Sequence, residues 1–519
     1  MRFRLDSQSG PDVPSPDKAL QQIHAQLASQ QAQWAEQLAR DPGAFAVLEP
    51  LIHKAFGQLA DRLVASLLAH AAQQQALADA AKKVKQAPRP LRQPEARPVT
   101  LRLLGGLILY LSTLYCGPAA RTGKGRGREG AGLYPELSVL GVSEGSSPAL
   151  VSLVGRQCAL LPSYHIARAE LAARGTPLDI KVVHRIARQL GAQVLTSRTR
   201  ALLRWRAGAL PPGAELAGRR VAAMIDGGRT RLRTVIRKQK GKGKGKKQRR
   251  HYKAEWREPK LLIIFEIDQQ GRMKAKTRPW IDGTFAGPDE AMELLAFHLH
   301  QLGAAQAQVV VFVADGAPWV WERLDWVVKR VGVPSGRVVR VLDWCHAVHN
   351  LSLALESLGL AEQERQRLFG QLRQWLRRGW PGLVIKELER LGEAQSWPQA
   401  LEQPLGYLSK HALAGHMAYG QFRRKGLPMG SGAIESAVRR VINLRLKGPG
   451  LMWHEENAEG ALVLRAAAVT ERWEETLVRV REEMGQDRTL GWEWESPDMP
   501  EELKAKVPIK PPTPQPAAA

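Results

Sequence analysis

Apolar and polar positions along this chain change rhythm several times, and each change predicts a different kind of element. Residues 16–84 are rich in Ala, Gln and Leu, poor in Gly, and apolar at helical spacing. "QAPRPLRQPEARPVT" (86–100) holds four prolines, cannot continue a helix and reads as a linker. "LLGGLILYLSTLY" (103–115) is too short to span a bilayer and reads as two buried strands or a core helix. From Ser163, "SYHIARAELAARGTPLDIKVVHRIARQLGAQV" is two helices around a break at Gly175, with Thr176 expected to cap the second. In that second helix Ile180, Val183, Ile186, Ala187 and Leu190 share one face, turning Lys181, His184, Arg185 and Arg188 outward. A helix-turn-helix DNA reader and an ordinary αα-hairpin with a solvated basic face both fit.

Between 221 and 350 the rhythm becomes that of strands. "RVAAMIDGG", "KLLIIFEID" and "KAKTRPWIDGTF" are followed by a helical segment, then "AQVVVFVAD", a second helical segment and "RVVRVLD". Three strands, a helix, a strand, a helix and a strand predict an α/β sheet. Residues 350–415 return to helix. The stretch after about 485, ending "VPIKPPTPQPAAA", lacks any core-forming pattern and reads as disordered.

Length and charge narrow the picture. At 519 residues the chain calls for two to four domains. Lys and Arg number 76 against 50 Asp and Glu, a net charge of +26, which favours a polyanionic partner, nucleic acid ahead of an anionic membrane. The charge is clustered: "RKQKGKGKGKKQRRHYK" (237–253) has ten basic residues and no acid, and reads as a flexible hairpin tip whose Lys240, Lys242, Lys244, Lys246 and Lys247 contact phosphates. Three scattered cysteines form no disulfide framework, and the N-terminus has no apolar signal core, so a cytoplasmic setting is expected.

The candidate chemistry lies in carboxylates. "VAAMIDGGRT" (221–230) and "VVVFVADGAPW" (309–319) both end an apolar run on Asp-Gly, at Asp226 and Asp315. A turn explains either one alone. Two on neighbouring strands have reason to be together if a divalent cation neutralises them. Asp268 and Asp282 read instead as turn residues. Asp343, in "VLDWCHAVHN", follows an apolar run without a glycine and is expected to cap the next helix, accepting from His346 or its amide. Cys345, His346 and His349 lack the second pair that a zinc site needs. A third acid is Glu435 in "GLPMGSGAIES", near a helix start capped by Ser431 or Gly432, with Arg439, Arg440, Arg445 and Lys447 after it. A surface ion pair is the plainer reading of that glutamate.

"MIDGGR", "VADGAPW", "DWCHAVHNL" and "GSGAIES…RLKGPGLMWHEENAEG" together resemble the DDE transposases of bacterial insertion sequences, the IS-Kra group most of all, with kinship to mutator-type transposases. The resemblance runs from about 160 to 465. It implies an RNase H-like core with Asp226, Asp315 and Glu435 as catalytic, metal-holding residues, Mg²⁺ as cofactor with Mn²⁺ substituting, and DNA ends and target DNA as partners. It further implies a homo-oligomer on DNA, and Asp343 and His346 structural beside the site. Relatives carry paired cysteines ahead of the helix-turn-helix, where this chain has only Cys116, which leaves an N-terminal zinc element without ligands. The expected organisation is a helical region (1–95), a helix-turn-helix region (96–210), an α/β core (211–350 and 430–485), a helical insertion (351–429) and a tail (486–519). Expected DNA contacts are Lys181, Arg185, Arg188, Arg229, the five lysines above, Arg439, Arg440 and Arg445. A nuclease that cuts without joining, and a DNA-binding protein without catalysis, are the alternatives.

Overall fold

The computed structural model describes residues 2–85, 95–117, 132–239, 249–448 and 450–483. It is a mixed α/β protein. Lys240, Lys242, Lys244, Lys246, Lys247 and the stretch from 484 onward lie outside the described residues.

A short strand β1 (Arg2–Leu5) opens the chain, followed by α1 (Pro16–Arg40), α2 (Phe45–Ala71) and α3 (Gln75–Lys85), in keeping with the helical spacing. The linker reading fails in its second half. Residues from Glu95 form β2 (Glu95–Arg102), an antiparallel hairpin with β3 (Ile108–Tyr115), and β1 pairs with the other edge of β3. Pro98 is tolerated because β2 is an edge strand. Asp61 of α2 ties the turn down, accepting from the amides of Gly105 and Leu107, each at 3.0 Å.

Next come α4 (Pro135–Val139), α5 (Pro148–Leu160), α6 (Tyr164–Ala173) and α7 (Ile180–Arg206). The last three share a small core of Leu150, Val154, Cys158, Leu171, Val183 and Ile186. Asp179, not Thr176, caps α7, accepting from Lys181 N at 2.7 Å; the Thr176 hydroxyl instead donates to the Leu104 carbonyl. At 27 residues α7 runs far beyond the expected helix. Its later turns lie across a C-terminal helix, crossing so closely that a Cβ on Gly191 would meet Gly460 Cα at 3.0 Å.

The strand region resolves into two sheets. Strand β4 (Arg220–Gly227) leads into a hairpin, β5 (Thr230–Gln239) and β6 (Arg249–Arg257), before β7 (Lys260–Glu266) and β8 (Trp280–Thr284). After α8 (Pro288–Gln301), β9 (Val309–Ala314), α9 (Pro318–Val331) and β10 (Val338–Leu342) complete the main sheet, in the order β10-β9-β4-β7-β8. Strands β4, β7 and β8 are successively antiparallel, while β9 and β10 run parallel to β4. Burial along β4, β7 and β9 is nearly continuous, as expected of strands with helices packed on the sheet.

A run of helices follows: α10 (Trp344–Ser357), α11 (Glu362–Arg378), α12 (Pro381–Ala394), α13 (Glu402–Leu413) and α14 (Tyr419–Arg424). The chain then returns to the sheet through α15 (Gly432–Val438), a π-helical turn (Arg439–Asn443), β11 (Trp453–His454), α16 (Glu455–Val469) and α17 (Trp473–Glu483). Strand β11 joins β5 and β6 as a second, three-stranded sheet. The described ends of the basic stretch, 237–239 and 249–253, therefore lie on β5 and β6 of this second sheet and not on strands of the main one. No helix among the described residues is long and apolar enough to cross a membrane.

Candidate active site at the carboxyl ends of three strands

The register of the main sheet aligns three acids. Met224 of β4 pairs with Val313 of β9, the last pair of that ladder, and Asp226 and Asp315 each follow two residues later. Leu342 of β10 pairs with Ala314, and the Asp343 amide donates to the Ala314 carbonyl at 2.9 Å, which sets Asp343 on the other side of Asp315. Adjacent strands are about 4.8 Å apart, so the three backbones emerge side by side.

The glycines that follow Asp226 and Asp315 admit neighbours. A Cβ on Gly228 would strike Ile442 of the π-helical turn at 2.5 Å. One on Gly316 would lie 1.9 Å from the Tyr407 ring of α13. Both the segment carrying Glu435 and the helical run thus close onto the strand ends where only a bare backbone leaves room.

Each acid is held differently. Asp226 is half-buried and accepts from its neighbour Gly227 N at 2.7 Å. Burial, opposed by that hydrogen bond and reinforced by the charges of Asp315 and Glu435, pushes its pKa up to about 6. Asp315 accepts from Ala317 N at 3.1 Å, and its carbonyl accepts from Trp321 Nε1 at 2.6 Å. Glu435 is exposed on α15 and accepts from the Ser431 hydroxyl at 2.8 Å. Ser431 is indeed the residue before the helix, but its side chain holds the glutamate rather than capping an amide.

Asp343 is fully buried and engaged on both oxygens. One accepts from His346 N at 2.9 Å and His346 Nδ1 at 2.8 Å, capping α10; the other accepts from Ser431 N at 2.6 Å. Burial works to raise its pKa, yet the hydrogen bonds from His346 and Ser431 outweigh it and hold the carboxyl below its ordinary value. The His346 ring is raised in turn, chiefly by its bond to Asp343, against burial and with help from the charges of Asp343, Asp315 and Asp226. Asp343 therefore links the end of β10 to the start of α15, through the amide of the same serine whose hydroxyl holds Glu435. In Asp343→Asn one buried donor loses its acceptor, which costs about 1–3 kcal/mol. We expect that loss in chemical denaturation, together with a fall of the His346 pKa followed by NMR titration. An unchanged His346 titration would separate the two residues.

Among the described residues no three His, Cys, Asp or Glu side chains are gathered tightly enough to hold a metal ion, the Cys345, His346 and His349 set included. The donor chemistry nonetheless suits a hard divalent cation: carboxylate oxygens from Asp226, Asp315 and Glu435, whose mutual repulsion such a charge would relieve.

Of the expected DNA contacts, Lys181, Arg185, Arg188, Arg229 and Arg439 are exposed and Arg440 is half-buried. Arg185 pairs with Glu144 at 2.7 Å, and Arg188 donates to Asn457 at 3.0 Å. Arg445 does not belong with them. It is 3% exposed, donates to the Cys158 carbonyl at 3.0 Å, and lies over the rings of Tyr164 and Trp453. Asp282, expected in a polar turn, lies buried within β8 and is ion-paired with Arg198 at 3.0 Å. Three residues beside the acids escaped sequence reasoning. Ser431 was read only as a cap, Tyr407 carries no local signal, and Lys260, paired with Gly227 and lying over the Trp319 ring, sits at an unremarked strand start. No protein-family profile matches this chain, and no curated protein is significantly similar to it.

Proposed function

We propose that the chain is a DDE-type DNA transposase whose five-stranded sheet is an RNase H-like core, with Asp226, Asp315 and Glu435 as its catalytic carboxylates. One observation carries the reading: Asp226 and Asp315 each lie two residues past the last paired position, Met224 and Val313, of adjacent parallel strands, within the electrostatic reach of Glu435. The strand order β10-β9-β4-β7-β8, three antiparallel strands flanked by two parallel ones, supports it.

Divalent ions bound there, Mg²⁺ or Mn²⁺, would supply charge for both the attacking and departing oxygens of an in-line displacement at phosphorus. The protein's own part is positional. The strand ends fix Asp226 and Asp315, and Ser431 aims Glu435. Exposed Arg229 and Arg439 lie on the segments that carry Asp226 and Glu435, close enough in sequence to bind the phosphate backbone. Lys181, Arg185 and Arg188 at the start of α7 form the proposed helix-turn-helix reading face. An exposed apolar row on α2, formed by Phe45, Phe56 and Leu67, suits association of two copies.

The test is an in vitro reaction with the DNA flanking this gene, carrying any inverted repeats, in Mg²⁺ or Mn²⁺. A transposase yields 3′-OH ends at the repeats and products joined to target DNA. Cleavage without joining identifies a nuclease. Binding without either product sinks the catalytic reading.

A further inference from the structure

Beyond the acids, the second sheet presents a surface of a different kind. Leu232 of β5 and Trp453 of β11 are buried, 3% and 8% exposed, and fix the inward face. Side chains alternate along a strand, so Arg231 and Arg233 take the outward face. In the β5–β6 register Arg231 stands opposite Trp256, and Tyr252 lies diagonally from Arg233. The two rings are exposed by 56% and 41%, large values for Trp and Tyr. The Arg231 guanidinium lies 5.5 Å from the Trp256 ring centre and that of Arg233 4.9 Å from the Tyr252 ring centre. The nearby acids are engaged by other cations: Glu255 by Lys253 and Glu455 by Arg257. Arg233 Nε is buried without a hydrogen-bond partner. In sequence, the same hairpin continues into the ten-cation stretch 237–253.

We propose that this face of β5–β6 is a stacking platform for unpaired nucleobases, with Trp256 and Tyr252 as the base-contacting rings and Arg231 and Arg233 as the phosphate-facing cations. Alternating aromatic and cationic side chains on an exposed sheet suit single-stranded nucleic acid, because every base has a π-face and every linkage a charge. Trp256 and Tyr252 lie four residues apart on one strand, about 13 Å, so they suit two separated bases of an extended strand rather than the closed stack of a duplex. The proposal rests on the transposase reading for its biological substrate, the strand ends left unpaired at a cut.

The test uses the full-length protein, an oligothymidylate of roughly 20 nucleotides, longer than one such site, and a duplex of equal length, followed by fluorescence anisotropy. Trp256→Ala combined with Tyr252→Ala should weaken oligothymidylate binding at least tenfold and duplex binding less than threefold. Trp256→Phe with Tyr252 intact should retain most of the single-strand affinity, which guards against misreading a loosened hairpin. Equal affinity of wild-type and double-alanine proteins for oligothymidylate overturns the platform, as does equal loss on both substrates, or a wild-type protein that does not bind the single strand. End cleavage, measured on the duplex separately, reports on the transposase reading, so the two can fail independently.

Discussion

Asp226→Asn, Asp315→Asn and Glu435→Gln should each abolish end cleavage, a loss of ~10³-fold or more, while DNA binding persists. Basic residues at the start of α7 and along the β5–β6 hairpin are left untouched, and removing one negative charge cannot weaken attraction to phosphate. Stability provides a second readout with a definite sign. The folded-state pKa of Asp226 is raised to about 6 by burial and by its acidic neighbours. A raised carboxylate stabilises the fold when protonated, and that contribution is lost as pH rises from its ordinary value through about 6. Asp226→Asn has no proton to lose. Above pH 6, in the absence of divalent ions, the variant should be more stable than the wild type by on the order of 1 kcal/mol, discounted for partial exposure. Near pH 4 the two should melt alike. Mn²⁺ should raise the melting temperature of the wild type at pH 7.5 and leave that of the variant nearly unchanged. A variant that cleaves at the wild-type rate, or gains nothing in stability above pH 6, removes Asp226 from the site.

The second large effect is structural. Arg198 of α7 donates to Asp282 at 3.0 Å and to the Gly283 carbonyl at 2.9 Å, and also pairs with Glu459 of α16. Asp282 in turn bonds His298 Nε2 at 2.7 Å, and Glu459 accepts from Thr284 Oγ1 and Phe285 N at 3.0 Å. Four elements meet in one buried network of charges. Arg198→Ala leaves the buried Asp282 and the half-buried Glu459 without their shared cation, and removal of one partner from such a network costs about 3–5 kcal/mol. We expect that loss in urea unfolding, with aggregation at lower temperature. A change below about 1 kcal/mol, the range of surface pairs, would show that solvent reaches the network.

Asp226, Asp282 and Asp315 share one local grammar, an acid followed by glycine in or just after a strand, and this explains how far the sequence could be read. The periodicity of apolar residues foretold the strand and helix order of the main sheet, because β4, β7 and β9 are buried almost continuously and read as short apolar runs. It could not tell an acid that faces solvent from one that faces an arginine. What makes Asp282 structural is Arg198, 84 residues earlier in the chain. Arg445 was misplaced for the same reason: its charge suggested phosphate, whereas two aromatic rings and a carbonyl from distant segments enclose it. The cap at Asp343 was legible because its partner, His346, is three residues away. Its second bond, to Ser431, spans 88 residues and was not. Pro98 also misled, since a proline-rich stretch looks like a linker until an edge strand is known to be free of partners on one side.

Helix α7 has a mechanical consequence. Its first turns carry Lys181, Arg185 and Arg188, while its later turns are pinned to the body of the protein by the Gly191–Gly460 crossing and the Arg198 network. At 1.5 Å per residue it is a rod of about 40 Å, one unbroken helix from its basic first turns to the sheet that bears the acids. On the transposase reading, such a rod is a gauge. The distance from the bases recognised to the phosphate cut is set by the protein's geometry and not by a flexible tether. Adding half a helical turn of DNA, about 5 base pairs, between recognition sequence and cleavage point would rotate the scissile phosphate to the opposite side of the duplex, out of reach of the acids.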